Sequence, residues 1–148
     1  MAVALKTESN PLQPGFCGLR LDSPIVLLSG CVGFGEEYTR IDGFSNRDVG
    51  AVVLKGTTNE PRLGNPPHRV YETPMGMLNA IGLQNPGVDK VVDQILPGLD
   101  FSETRFIANV CGSRIEDYEI VTRRFDDSPI DAIEINISCP NIKEGGVS

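Results

Sequence analysis

Two stretches of the chain hold the residue types best able to do chemistry. The first ends in Lys55, which closes the apolar run Ala51-Val52-Val53-Leu54. An ammonium at the end of a buried strand needs a counter-charge. On spacing alone, two readings are equally open: a side chain that snorkels to water, or a cation that meets an anionic ligand. The second stretch is Asn136-Ile137-Ser138-Cys139-Pro140-Asn141. It sets two amides, suited to a flat polar ligand, beside a thiol on the following turn. A thiol is nucleophilic and, with an ordinary pKa of about 8.5, is also a workable proton acceptor. The chain has one histidine, His68, in a Pro-rich stretch. That disfavours a Cys–His nucleophile and leaves Cys139 as a general base or as packing in a Pro turn. A third segment, Asn79-Ala80-Ile81-Gly82-Leu83-Gln84-Asn85-Pro86-Gly87, exposes backbone groups in a tight structure, and alone it reads as an ordinary turn before a helix.

These groups need elements to position them. Four apolar runs have strand length: Pro24 to Gly30, Gly50 to Gly56, Phe106 to Gly112 and Ala132 to Ser138. The first two are nearly continuous in Val, Ile and Leu, as in parallel strands buried on both faces. The fourth alternates Ile133, Ile135 and Ile137 with Glu134, Asn136 and Ser138, which projects its polar groups to one side. Helices are expected over Glu36 to Phe44, over Val88 to Leu96 and over Arg114 to Phe125. The second carries Val88, Val91, Val92 and Ile95 on one stripe and is stopped by Pro97-Gly98. The third has Ser113 as N-cap with Glu116 as its capping box, and Ile115, Tyr118, Val121 and Phe125 as its stripe. Phe16 to Leu21 reads as a small hairpin at the entry. Strand alternating with helix argues for a parallel α/β fold. The long excursion from Thr57 to Pro86, rich in Pro, Gly and Asn, is expected to be functional. Each apolar run ends in small or hydrogen-bonding groups: Ser29-Gly30, Lys55-Gly56, Asn109 with Gly112, and Asn136-Ser138-Cys139. Such residues sit at the C-terminal ends of strands in a (β/α)8 barrel, where the ends open onto one face.

Composition narrows the classes. The 148 residues are 40% hydrophobic and 22% charged, the balance of a globular protein. A net charge of −7 with no basic cluster speaks against nucleic acid. The longest strictly apolar run, Ile25 to Leu28, is far below the roughly 20 residues of a membrane helix. No secretory signal opens the sequence, so a cytoplasmic location is expected, with Cys17, Cys31, Cys111 and Cys139 all reduced. None of their spacings suits a metal or redox pair, and no metal site is expected. A Rossmann or Walker phosphate loop is disfavoured, because Gly30-Cys31-Val32-Gly33-Phe34-Gly35 has its glycines in the wrong order and no GxxxxGK[ST] occurs.

The segments SGCVGFGEEY (29–38), LKGTTNEPRLGNPPHRV (54–70), MLNAIGLQNPG (77–87), ANVCGS (108–113) and EINISCPNIKEGG (134–146) closely resemble dihydroorotate dehydrogenase, and most of all its NAD-linked type B catalytic subunit. The resemblance implies a (β/α)8 TIM barrel with about the first four βα units present, so that residues 1–148 form the N-terminal half of one FMN-binding domain. It implies an oxidoreductase of pyrimidine (UMP) biosynthesis that converts dihydroorotate to orotate. Cys139 would take the C5 proton, and a hydride would pass from C6 to FMN. Ser29, Gly30, Lys55, Gly56, Asn109 and Asn136 would contact FMN. Lys55, Asn79, Ala80, Ile81, Gly82, Leu83, Asn136 and Asn141 would hold the substrate, with Lys55 on its carboxylate. A partner subunit with FAD and a [2Fe-2S] cluster would pass electrons to NAD+, in a heterotetramer built on a homodimer of catalytic subunits.

Departures from the family pattern are Cys31, where Thr is frequent, and Cys111, where Ala is frequent; both are expected as packing. A complete barrel takes about 250 residues, so the family's second half, with its phosphate grip, is absent from these 148. The isolated chain is therefore expected to be inactive. Two other functions stay open: a related dihydropyrimidine-oxidising flavoprotein, and a non-catalytic fragment acting only in assembly.

Overall fold

The structure is a computed structural model that describes residues 10–137. A short hairpin, β1 (Gly15–Phe16) and β2 (Leu19–Arg20), comes first. Four parallel strands follow: β3 (Val26–Leu27), β4 (Ala51–Val53), β7 (Arg105–Val110) and β8 (Ala132–Ile135). They pair in chain order, β3-β4-β7-β8, with no reversal. A doubly wound sheet reverses its order at a switch point, whereas a barrel adds each strand on the same side. The topology therefore takes the barrel course over four strands, as the strand ends lead one to expect.

Side chains alternate across this sheet, and the two faces differ in kind. Val52, Leu54, Phe106, Ala108 and Val110 face outward and pack under the helices with Val88, Val91, Leu96, Val121 and Phe125. Ala51, Val53 and Ile107 face inward with Val26 and Ala132, and Leu21 of the entry hairpin packs against them. Burying a side chain such as Phe106 or Phe125 stabilises by about 1.5–3 kcal/mol, so the outer layer supplies most of the cohesion.

The helices follow the apolar stripes with local changes. The helical stretch α1 starts at Val88–Lys90, widens into a π-turn over Val91–Ile95 and tightens to a 3-10 turn at Leu96–Gly98, where Pro97 and Gly98 end it. Helix α2 spans Ile115–Asp126. Its cap lies one residue later than Ser113 and Glu116 suggest. Arg114 is the N-cap, and Asp117 accepts from the backbone N–H groups of Ser113 (3.0 Å) and Arg114 (3.1 Å). Ile115, at the first helical position, is 78% exposed, so the stripe packed on the core is Val121 and Phe125 with the half-buried Tyr118.

Three further expectations change. The first apolar run is not buried on both faces among the described residues: it pairs there with β4, and Ile25 and Leu28 are exposed. Glu36 to Phe44 is a loop with a single 3-10 turn, Tyr38–Arg40, because the Glu37 carboxylate folds back onto the Phe34 N–H and glycines 33, 35 and 43 adopt positive φ. The Thr57–Pro86 excursion is not a bare loop: it holds an antiparallel hairpin, β5 (Val70–Thr73) and β6 (Gly76–Asn79). Among the described residues, no helix is long and apolar enough to cross a membrane.

The Asp117 cap yields a test. The two N–H groups, Ser113's first, hold the Asp117 carboxyl below the ordinary carboxylate range against an opposing desolvation effect. A folded-state value below the unfolded one contributes stability that is complete at neutral pH and lost as pH falls through the folded value, below about pH 4. Asp117→Ala is expected to cost about 1 kcal/mol at pH 7 in denaturant unfolding of the full-length protein, and the difference from wild type should close in acid.

Candidate functional site

Along each inward-facing row the residue type changes from apolar to polar towards the C-terminal end of the strand. On β4 the row is Ala51, Val53, Lys55; on β7 it is Ile107, Asn109, Cys111; on β8 it is Ala132, Glu134, Asn136. The apolar part lines a cleft of about 360 Å³ with Val26, Leu28, Val53, Ile107 and Ala132, and the exposed Glu134 lines it too. The polar part lies above it. Lys55, Gly56, Asn109 and Asn136, four residues expected to serve the site, thus fall on one face at one end of the sheet.

Local contacts hold them there. The Lys55 N–H donates to the Gly33 carbonyl at 2.6 Å, which ties the end of β4 to the glycine-rich turn after β3. Lys55 is half-buried, and among the described residues no carboxylate lies within ion-pair distance of it. Gly56 is buried, and a Cβ there would sit 2.9 Å from both Asn109 Oδ1 and Cys111 Sγ and 3.4 Å from Leu83 Cδ2. Only glycine lets the backbone pass so close to these groups. Asn109, 2% exposed, is bonded at both ends of its amide. Its Nδ2 donates to the Glu134 carboxylate, and its Oδ1 accepts from Cys111 Sγ (3.3 Å) and Asn136 Nδ2 (3.3 Å). Asn136 is anchored twice more: its N–H donates to the Val110 carbonyl (2.9 Å), and its carbonyl accepts from the Tyr118 hydroxyl of α2 (2.7 Å).

The remaining candidates are spread more widely. Ser29 is half-buried, and Gly30 is exposed with φ +89°, with open space around it, so a flat ligand could approach the backbone there. Leu83 joins the cluster through Gly56, as described. Asn79, Ala80 and Ile81 belong to the base of the β5–β6 hairpin. The Ala80 N–H donates to the Arg69 carbonyl, while Asn65 Nδ2 and its N–H donate to the Ala80 and Ile81 carbonyls. Gly82 is buried against Asn65 with φ +77°, so glycine is required there too. Cys139 and Asn141 lie outside the described residues. Of the two variable thiols, Cys111 is buried as expected, but Cys31 is exposed rather than packed.

Three side chains that bond these groups do not stand out in the sequence: Glu134 is the polar phase of an alternating strand, Tyr118 is one member of a helical stripe, and Asn85 is part of the NAIGLQNPG segment. Asn85 is 5% exposed, and its Oδ1 accepts from the N–H groups of Thr58 (3.2 Å) and Gly87 (3.0 Å) while its Nδ2 donates to the Leu83 carbonyl (2.7 Å) and Thr58 Oγ1 (2.9 Å). One buried amide thus closes the excursion onto the end of β4. Among the described residues, no group of three His, Cys, Asp or Glu side chains is placed to hold a metal.

An apolar floor crowned by a lysine, amides and close-approach glycines, at the C-terminal ends of consecutive parallel strands, is the arrangement that strand-end ligand sites of α/β barrels share. Comparisons with known proteins bear on the fold and the family. The dihydroorotate dehydrogenase family model matches residues 11–148, and the chain belongs to that family. It is 52% identical over 140 residues to the dihydroorotate dehydrogenase B (NAD(+)) catalytic subunit of Geobacillus kaustophilus, covering 94% of this chain and 44% of the relative. The same identity and coverage hold for the subunit of that name from Bacillus caldolyticus, and 49% identity, with 45% of the relative covered, for that of Bacillus cytotoxicus. The chain therefore spans less than half the length of these curated relatives. In fold it is similar to the crystal structure of a dihydroorotate dehydrogenase from Eimeria tenella, with a TM-score of 0.67 at 23% identity over 97% of this chain and 41% of the other. The fold is that of the first four βα units of a TIM barrel.

Asn85 gives the test of this architecture. Asn85→Ala leaves the Thr58 and Gly87 N–H groups and the Leu83 carbonyl unsatisfied in a buried place, so a loss of at least about 2 kcal/mol is expected in the full-length protein by denaturant unfolding. Asn85→Asp keeps the acceptors but sets a carboxylate against the Leu83 carbonyl, and it should also destabilise.

Proposed function

We propose that this chain is the N-terminal half of a single FMN-binding barrel domain, and that the complete protein oxidises dihydroorotate to orotate in pyrimidine biosynthesis. The observation that carries the reading is the half-buried Lys55, without a carboxylate partner among the described residues, beside Gly56, Asn109 and Asn136 on the inner face. Open backbone at Gly30 suits the plane of an isoalloxazine, the two amides suit its polar edge, and Gly56, packed against Asn109, Cys111 and Leu83, lets the end of the strand stand close to them. These residues fit FMN, which when bound supplies the acceptor for hydride.

The chain's own residues then divide the work. Lys55 attracts the substrate carboxylate and so sets the orientation of the pyrimidine ring. Asn79 to Leu83, Asn136 and Asn141 bind its amide edges through side-chain and backbone groups. Cys139 takes the proton removed from C5. Electrons leave through a partner subunit carrying FAD and a [2Fe-2S] cluster, which accords with the name of the relatives as catalytic subunits, and the assembly is a heterotetramer built on a homodimer. The location is cytoplasmic.

In the full-length protein, Cys139→Ala is expected to retain FMN and lose about 10²–10⁴-fold in turnover at neutral pH, while Cys31→Ala stays near wild type. The reverse pattern assigns the base to the wrong thiol. Orotate should inhibit and uracil should not, because only orotate offers Lys55 a carboxylate; inhibition by uracil alone supports a different dihydropyrimidine substrate. Residues 1–148 by themselves are expected to bind FMN weakly or not at all, as read by flavin fluorescence.

A further inference from the structure

Glu134 is exposed, and it lines an apolar cleft with Val26, Leu28, Val53, Ile107 and Ala132. Its carboxylate nevertheless has a buried hydrogen-bond partner. That partner is the Asn109 amide nitrogen on the neighbouring strand, at the paired register position. We propose that Glu134 is a positioning residue, whose carboxylate fixes which way the Asn109 amide faces and thereby sets the hydrogen-bonding pattern that Asn109 and Asn136 offer to the flavin.

The geometry makes the choice one-sided. An ionised carboxylate can only accept, so it takes the Nδ2 end of Asn109. Oδ1 must then face the other way, where Cys111 Sγ and Asn136 Nδ2 both donate to it at 3.3 Å. With the amide reversed, Oδ1 would oppose the carboxylate and Nδ2 would oppose the nitrogen of Asn136, so both ends would be mismatched. The same bond sets Asn136, because a carbonyl oxygen at Asn109 calls for the nitrogen end of the second amide. One acid on the wall of the barrel thus orders two amides above it, and the register Asn109↔Glu134 keeps the three in line.

The inference rests on the flavin reading, and the test separates the two. FMN is titrated into full-length apoprotein, with flavin fluorescence giving the dissociation constant and thermal unfolding of the apoprotein giving stability. Glu134→Leu is expected to raise the FMN dissociation constant about tenfold or more, the effect of losing one charge-assisted hydrogen bond. Glu134→Gln, which can still accept through its carbonyl, should stay within about threefold of wild type. If Glu134 acts through Asn109, then Glu134→Leu added to Asn109→Ala should change binding by less than about twofold. Wild-type affinity in Glu134→Leu, or a full multiplication of the two single effects in the double variant, overturns the assignment. Should Glu134→Leu fail to fold, Glu134→Ala enters the same cycle with the same expectations. A wild-type protein that holds no FMN overturns the flavin reading itself and this assignment with it.

Discussion

Alternation of side chains across parallel strands that follow one another in chain order is the constraint on which the rest of the molecule depends. Because β3, β4, β7 and β8 never reverse their order, every crossover lies on the same side of the sheet. One face is thereby committed to helices and the other to an interior. The period of two then sorts each strand: Val52, Leu54, Phe106, Ala108 and Val110 go out, and Val53, Lys55, Ile107, Asn109 and Glu134 go in. A slip of one residue in β7 or β8 would send an amide into the helix layer and an aliphatic group into the site.

This sorting also separates stability from chemistry. The outward layer is closed, with Phe106 and Phe125 at 0% and 1% exposure, and can hold its strands in place whatever occupies the inner face. The inner face is apolar low down, polar higher up, and crossed at the boundary by hydrogen bonds between neighbouring strands. Asn109 sits at that boundary. It is too buried to be a solvated surface amide, and it is bonded to groups on β7 and β8. The helix layer contributes to the site through Tyr118, whose hydroxyl reaches the carbonyl of Asn136. A change in the packing of α2 can therefore reach the end of β8 without touching a ligand.

Much of this was legible in the sequence, and the reasons for the rest are physical. Continuous apolar runs located the strands, and the polar groups at their ends share one face of the sheet. The first run leaves Ile25 and Leu28 exposed because the described residues supply a neighbouring strand on one side only. Glu36 to Phe44 has helical composition, but three glycines with positive φ and the bond from the Phe34 N–H to Glu37 hold it as a loop. The β5–β6 hairpin was concealed by the Pro, Gly and Asn around it and by an exposed pattern with no apolar face to detect. The role of Asn85 could not be read because Thr58, the partner that closes the excursion, lies 27 positions away in sequence.

The fastening at Asn85 has a mechanical consequence. Thr58 and Gly87 are pinned to one point, so the whole excursion between them leaves and rejoins the sheet through a single rigid neck. Bending or lengthening of the far tip around Met75, itself 97% exposed, is insulated from the strands below. That arrangement lets evolution reshape the overhang as a free-standing module, while the floor beneath it keeps its alignment.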